Sequence, residues 1–276
     1  ETGKEAELTV TADTTVTVRF FENTVNGGAG SNDAWKKLRK VINEAPAGGT
    51  VIIKGLIRAT NVVGNNGGIP ITKNLTIQGE RSGSGITSVL DADKDTGSKP
   101  EHRIFTVVGV GTVLTLKDVA LKNGKTPGVG GDEGNHGGAI LIKQGAQCTI
   151  TDCELSSSEA GERGGAIFVE KSAECTITNT KIDGNKATGM GGGVYVEEAF
   201  GSTPAGKCVI SGGSFANNEA KGEGGGAIYT AGTLELSNCA IGNLSVGNKA
   251  SGVNGKGGGT TQQWEVGSDG RLKMKP

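Results

Sequence analysis

Gly137-Gly138-Ala139-Ile140-Leu141-Ile142 is a glycine pair running into an apolar strand, and it recurs along the chain. The copies are Gly164-Gly165-Ala166-Ile167-Phe168-Val169, Gly191-Gly192-Gly193-Val194-Tyr195-Val196 and Gly225-Gly226-Ala227-Ile228-Tyr229-Thr230, with a degenerate Gly257-Gly258-Gly259-Thr260 after them. Their starts lie 27, 27, 34 and 32 residues apart. A second strand follows in constant phase, opening at Cys148, Cys175, Cys208 and Leu234, and a third opens at Leu155, Ile182, Phe215 and Ile241. A period of roughly 20–50 residues means a solenoid, a propeller or an array. Short strands with no helical pattern between them suit coils whose strands stack in parallel, whereas a propeller blade needs about 40 residues or more and four strands. The expected fold is all-β: a right-handed parallel β-helix solenoid with an N-terminal capping helix.

Working outward, earlier segments share the phase without the glycine signature. Leu114-Thr115-Leu116 aligns with Cys148-Thr149-Ile150, and Leu75-Thr76-Ile77 with both. At about 27 residues per coil, the chain after Gly49 holds roughly eight or nine coils. Before them, Trp35, Leu38, Val41, Ile42 and Ala45 fall on one face of a helix preceded by Ser31-Asn32-Asp33 and stopped by Pro46. Such a helix caps the open first coil, as a solenoid requires. No compositional break divides the chain, so 1–276 reads as a single domain. Residues 1–48 hold an opening strand and the capping helix, 49–260 the coils, and 261–276 a tail that places Trp264 over the last coil.

Composition agrees. Glycine, 50 of 276 residues, far exceeds a usual share of about 7%, and coil corners that need positive φ or close backbone approach account for it. A net charge of −1 gives no electrostatic case for nucleic acid. No apolar run is long enough to span a membrane. Cys148, Cys175 and Cys208 share one inward repeat position, where adjacent coils about 4.8 Å apart would allow one bridge among them. Cys153 and Cys239 share another position but stand three coils apart. Buried thiols acting as small hydrophobes are the expectation. No CxxC occurs, and no metal or cofactor is expected.

The repeat Gly-Gly-Ala-Ile, followed downstream by Phe215-Ala216-Asn217-Asn218 and its softened forms Ile182-Asp183-Gly184-Asn185 and Leu155-Ser156-Ser157-Ser158, resembles the repeats of the chlamydial polymorphic membrane proteins. Related repeats occur in spirochaete and other bacterial surface proteins. The likeness covers residues 112 to 260 and reaches the N-terminal half only through its strand rhythm. It implies a β-helix passenger on a bacterial surface, or a secreted one, acting in adhesion or immune interaction, and it carries no catalytic residues. Members of that family end in a membrane-embedded β-barrel, which has no counterpart in these residues. Signal and anchor are accordingly expected to lie outside them.

Function is then expected to reside in exposed strand faces and insertions. Three segments exceed the 27-residue unit: Lys122 to His136, Glu197 to Lys207 and Gly242 to Lys256. From the first, Asp132, Glu133 and His136 are candidate ligand-binding residues, with His136 facing one of the two acids. From the second, the candidates are Phe200, Ser202 and Pro204. The expected partner is a host cell-surface receptor or matrix component, bound by a monomer. The competing class is a carbohydrate-active enzyme, or a polysaccharide-binding module, since such enzymes need paired carboxylates or carboxylate-held calcium on one face. The equivalent position after each second strand reads Asp118, Asp152, Asn179, Gly212 and Asn238, so only two adjacent coils are acidic there. These read as turn residues. Asp91, Asp93 and Asp95 alternate like the start of a calcium loop, yet Thr96 stands where an EF-hand needs glycine. No enzyme is expected. A purely structural surface-layer or decoy protein is the third possibility. Asn185 and Asn218 are expected to form a ladder, since stacked asparagines bond one another along the axis.

Overall fold

A computed structural model describes residues 22–28, 33–93, 101–127, 134–222 and 224–241, together with the backbone of 249–250, 264–266 and 272–274. The chain winds as a right-handed parallel β-helix whose coils are joined by crossovers of the favoured hand. Among the described residues, the first sheet stacks eight strands, beginning with Thr24–Asn26, Gly49–Lys54 and Leu75–Gln78 and ending with Thr233–Ser237. The second stacks seven, from Leu56–Arg58 to Ala240–Ile241, and the third six, from Ile69–Ile71 to Ile228–Thr230. A fourth, short sheet joins Glu159–Ala160, Lys186–Ala187, Glu219–Ala220 and Lys249–Ala250. All pairing within these sheets is parallel and in the register that the repeat predicts: Leu75, Leu114, Cys148, Cys175, Cys208 and Leu234 form one unbroken inward column.

The glycine pair has a distinct reason at each position. Gly164 lies at φ +66°, and a Cβ there would stand 2.3 Å from the Ile167 carbonyl oxygen. Gly165, with ordinary φ, has no room because the next coil passes: a Cβ would meet the Gly192 carbonyl oxygen at 2.1 Å. The first glycine makes the corner and the second lets coils stack at the corner. At the corner between the first and second sheets a single left-handed residue turns the chain: Asp118 (φ 52°), Asp152 (53°), Asn179 (47°), Gly212 (72°) and Asn238 (50°). Asn, Asp and Gly are the residues that tolerate this conformation.

Inside, Ile, Val, Leu and Cys columns fill a narrow core, and at its N-terminal end the helix Ala34–Glu44 buries Trp35, Leu38, Val41 and Ile42. Asp33 occupies the N-cap but makes no side-chain capping bond; Ser31 and Asn32 lie outside the described residues. The acceptor comes instead from Asn65, whose Oδ1 takes the Lys36 N–H at 2.9 Å. Trp35 donates its indole N–H to the Gly67 carbonyl at 3.0 Å, so one loop fastens the helix twice. The opening strand read over residues 5–19, and the side chain of Trp264, lie outside the described residues. The backbone of Trp264–Val266 pairs antiparallel with Leu272–Met274.

All five cysteines are free. Burial raises the Cys153 thiol to about 12 and Cys239 to about 11. Cys175 also moves up, first through its hydrogen bond to Cys208 and then through burial. These are inert packing groups.

Candidate functional site

The third sheet holds more than its pattern announces. Read as a strand, Ile167-Phe168-Val169 is apolar throughout, and all three residues are buried. Ile167 and Val169 belong to the inner core, but Phe168 joins a separate cluster with Leu141 and Tyr195, backed by Met190 and Tyr229. The middle residues therefore form a ladder on the outer face of the coil rather than adding to the inward row. Phe168 and Tyr195 stack with centroids 5.0 Å apart and planes 4° apart, and Tyr195 and Tyr229 at 5.1 Å and 7°. The residues before the first three glycine pairs, His136, Arg163 and Met190, lie against this ladder. The His136 ring stacks on Phe168 at 4.4 Å, and the Arg163 guanidinium sits 5.3 Å from the Tyr195 ring centre.

This placement changes the reading of the first insertion. His136 is buried, with Nδ1 lacking a hydrogen-bond partner and Nε2 3.8 Å from the Glu162 carboxylate. Burial holds the imidazole below its ordinary pKa; Glu162 and Glu197 oppose that shift, while Arg163 and Arg103 add to it. His136 is thus a packing residue at the root of the insertion, with the Glu162 carboxylate of the next coil 3.8 Å from its ring. Asp132 and Glu133 lie outside the described residues, as does most of the third insertion.

The second insertion is well defined. It leaves the corner between the third and first sheets, closed at its base by the Gly206 N–H bonded to the Glu197 carbonyl at 2.9 Å. Lys207 already belongs to the first sheet, so the projecting part is 198–206. Phe200 and Thr203 exchange backbone hydrogen bonds of 3.1 and 2.9 Å, which pins a tight tip carrying Ser202. The Pro204 carbonyl accepts the Ser172 N–H of the preceding coil at 2.8 Å. On that platform Phe200 is 75% exposed, with the Lys171 ammonium 5.8 Å from its ring centre.

The same corner is reinforced coil by coil. Glu170 accepts the Gln144 N–H at 2.8 Å, and Glu197 accepts the Lys171 N–H at 2.9 Å, each carboxylate serving the coil before it. Val110, 90% exposed, caps the corresponding turn one coil before Gly145, to which Gly111 donates at 2.9 Å. Phe200 and Val110 therefore stand on one edge of the rod. Phe200 is the one strongly exposed aromatic side chain among the described residues.

The carboxylates of Asp118 and Asp91 are bonded within the fold. Asp118 accepts hydrogen bonds from Gln78 at 2.9 Å and from Arg81 at 3.1 Å, so its oxygens tie a corner to a neighbouring hairpin. Asp91 binds Arg58 at 3.0 Å and receives Asn123 at 2.8 Å and the Asp93 N–H at 2.8 Å. Asp95 is outside the described residues. Among the described residues no group of three His, Cys, Asp or Glu side chains is placed to hold a metal ion, and no helix is long and apolar enough to cross a membrane. Hydrogen bonds bind the asparagine ladder together: Asn185 Nδ2 donates to Asn218 Oδ1 at 3.0 Å, and Asn185 Oδ1 accepts the Ser158 N–H at 2.9 Å.

Comparison with known proteins gives one match. The family model of a right-handed beta helix region fits residues 133–255. No curated protein and no solved structure matches the chain. By its coils, and over residues 133–255 by that match, the chain has the fold of a right-handed parallel β-helix.

Proposed function

We propose that the chain is a bacterial surface-displayed or secreted adhesin-type rod that binds a host receptor or matrix protein through the edge carrying Val110 and Phe200. The observation that carries this reading is Phe200, three-quarters exposed at the tip of a loop whose backbone is held by four hydrogen bonds from Phe200, Thr203, Gly206 and Ser172. An aromatic side chain on a rigid, pre-ordered loop is what interface hot spots are made of. The resemblance to polymorphic membrane protein repeats supports the same reading. The carboxylates at Asp118 and Asp91 are engaged in hydrogen bonds that tie corners together. We therefore read the chain as a binder and not an enzyme.

The test is to pass the purified chain over an array of human receptor ectodomains, matrix proteins and glycans, alongside Phe200→Ser and Val110→Ser. A specific protein hit that Phe200→Ser weakens by about 30-fold, roughly 2 kcal/mol of hot-spot energy, is the expected result. A hit that both variants retain at full strength removes this edge from the account. Binding only to an acidic polysaccharide, with cleavage, would replace the binder by the enzyme.

A further inference from the structure

The outward ladder of the third sheet stops before the sheet does. Its in-register positions read Pro70, Thr106, Leu141, Phe168, Tyr195 and Tyr229. The last four are filled by large apolar or aromatic groups. The first two carry a proline and a threonine, and there a cavity of about 270 Å³ opens, with Glu101, Arg103, Thr126 and Pro127 around it. The volume lies just below the roughly 300–1,000 Å³ of pockets that take drug-sized molecules, so one ring is its natural occupant.

Its geometry and chemistry specify the ring further. The cavity lies in the same column as the parallel rings, which stand 5.0 and 5.1 Å apart. It sits at the Pro70 and Thr106 rungs, with Leu141 between it and Phe168, so a flat body there stands as one more rung of the column. Pro70 and Pro127 give it apolar sides. Its polar side chains are one guanidinium, one carboxylate, the His102 imidazole and two threonine hydroxyls. Arg103 is held in place by the His136 carbonyl at 2.8 Å and lies beside the Thr106 hydroxyl at 3.5 Å. The Glu101 carboxylate is oriented by Lys125 at 2.9 Å. One cation balanced by one anion, with an imidazole and two hydroxyls beside them, matches a ring that is uncharged, apolar on its faces and hydroxylated around its edge. We propose that this slot binds a single neutral pyranose residue, seated as an extra rung at the N-terminal end of the aromatic ladder. The site is separate from the Phe200 edge.

The experiment is saturation-transfer NMR on the full chain with the methyl glycosides of glucose, galactose, mannose and N-acetylglucosamine, plus methyl glucuronide and phenol as controls. At least one neutral glycoside should bind at millimolar concentration. Thr106→Phe, which extends the ladder into the slot, should abolish that binding while leaving the melting temperature equal or higher. Glu101→Gln should weaken it about tenfold, and decides the matter alone if Thr106→Phe fails to fold. Phe200→Ser should leave it unchanged, so this proposal and the edge-binding reading fail separately. No binding by any neutral glycoside overturns the proposal. So does stronger binding of the glucuronide or of phenol, and so does binding that survives Glu101→Gln intact.

Discussion

At the scale of single residues, the fold rests on positions where only one chemistry fits. Asn185 is the clearest. Its amide receives the Ser158 N–H and donates to the Leu155 carbonyl and to Asn218, all buried. Each buried polar group left without a partner costs about 1–3 kcal/mol, so Asn185→Leu should destabilise by more than about 3 kcal/mol in urea unfolding. Asn217→Gly, which loses one exposed bond to Asp183 but keeps a residue that tolerates the left-handed φ of 53°, should stay within about 1 kcal/mol. His136 gives a pH signature. Because burial lowers its folded pKa, the neutral ring stabilises the fold fully above the unfolded value near 6.5. That contribution is lost as pH falls below this value toward the folded pKa. His136→Phe keeps the stack on Phe168 and should therefore lose less stability than the native chain between pH 7 and pH 5, as followed by chemical denaturation. The asparagine ladder and the cysteine column were legible in the sequence because each repeats at the coil period. The role of His136 was not, since its stacking partner lies one coil on and only the folded register brings the two together.

At the scale of elements, the fourth sheet shows how stacking errors are avoided. Lys186 pairs in register with Glu159 before it and Glu219 after it, and Lys125 precedes them beside Glu159. Lys186 reaches Glu219 at 3.5 Å and Lys125 reaches Glu159 at 3.9 Å. Such exposed pairs add little individually, yet alternation of sign means that skipping one coil in the stack would set like charges together. Lys186→Glu places three carboxylates in a row and should destabilise by about 0.5–1 kcal/mol per like-charged neighbour. Raising the salt should relieve that loss, whereas Lys186→Gln should be nearly neutral. The capping helix was legible through its apolar face, since the 3.6-residue period needs no tertiary knowledge. Its real cap, Asn65, was hidden because it sits 29 residues away from the amide it serves. The outward aromatic ladder was hidden for a different reason. An all-apolar strand loses the two-residue alternation that tells inside from outside, so Phe168 and Tyr195 read as core until the coils are stacked.

At the scale of the whole molecule, eight in-register strands of the first sheet spaced about 4.8 Å apart make a stiff rod with its chemistry on its edges. The repeat decided the architecture because every coil restates the same rule. The edge was only half legible. Phe200 stood out as an aromatic in an insertion, but Val110 belongs to an ordinary short turn, and only the stacked corners align the two. As proposed, this edge meets the partner. The direct measurement is photo-crosslinking against the same array of receptor ectodomains and matrix proteins. One chain carries a benzophenone amino acid at position 200, another carries it at position 122 on the second sheet. The account predicts a specific protein adduct from position 200 and none from position 122. Adducts from position 122 with none from position 200 would contradict it.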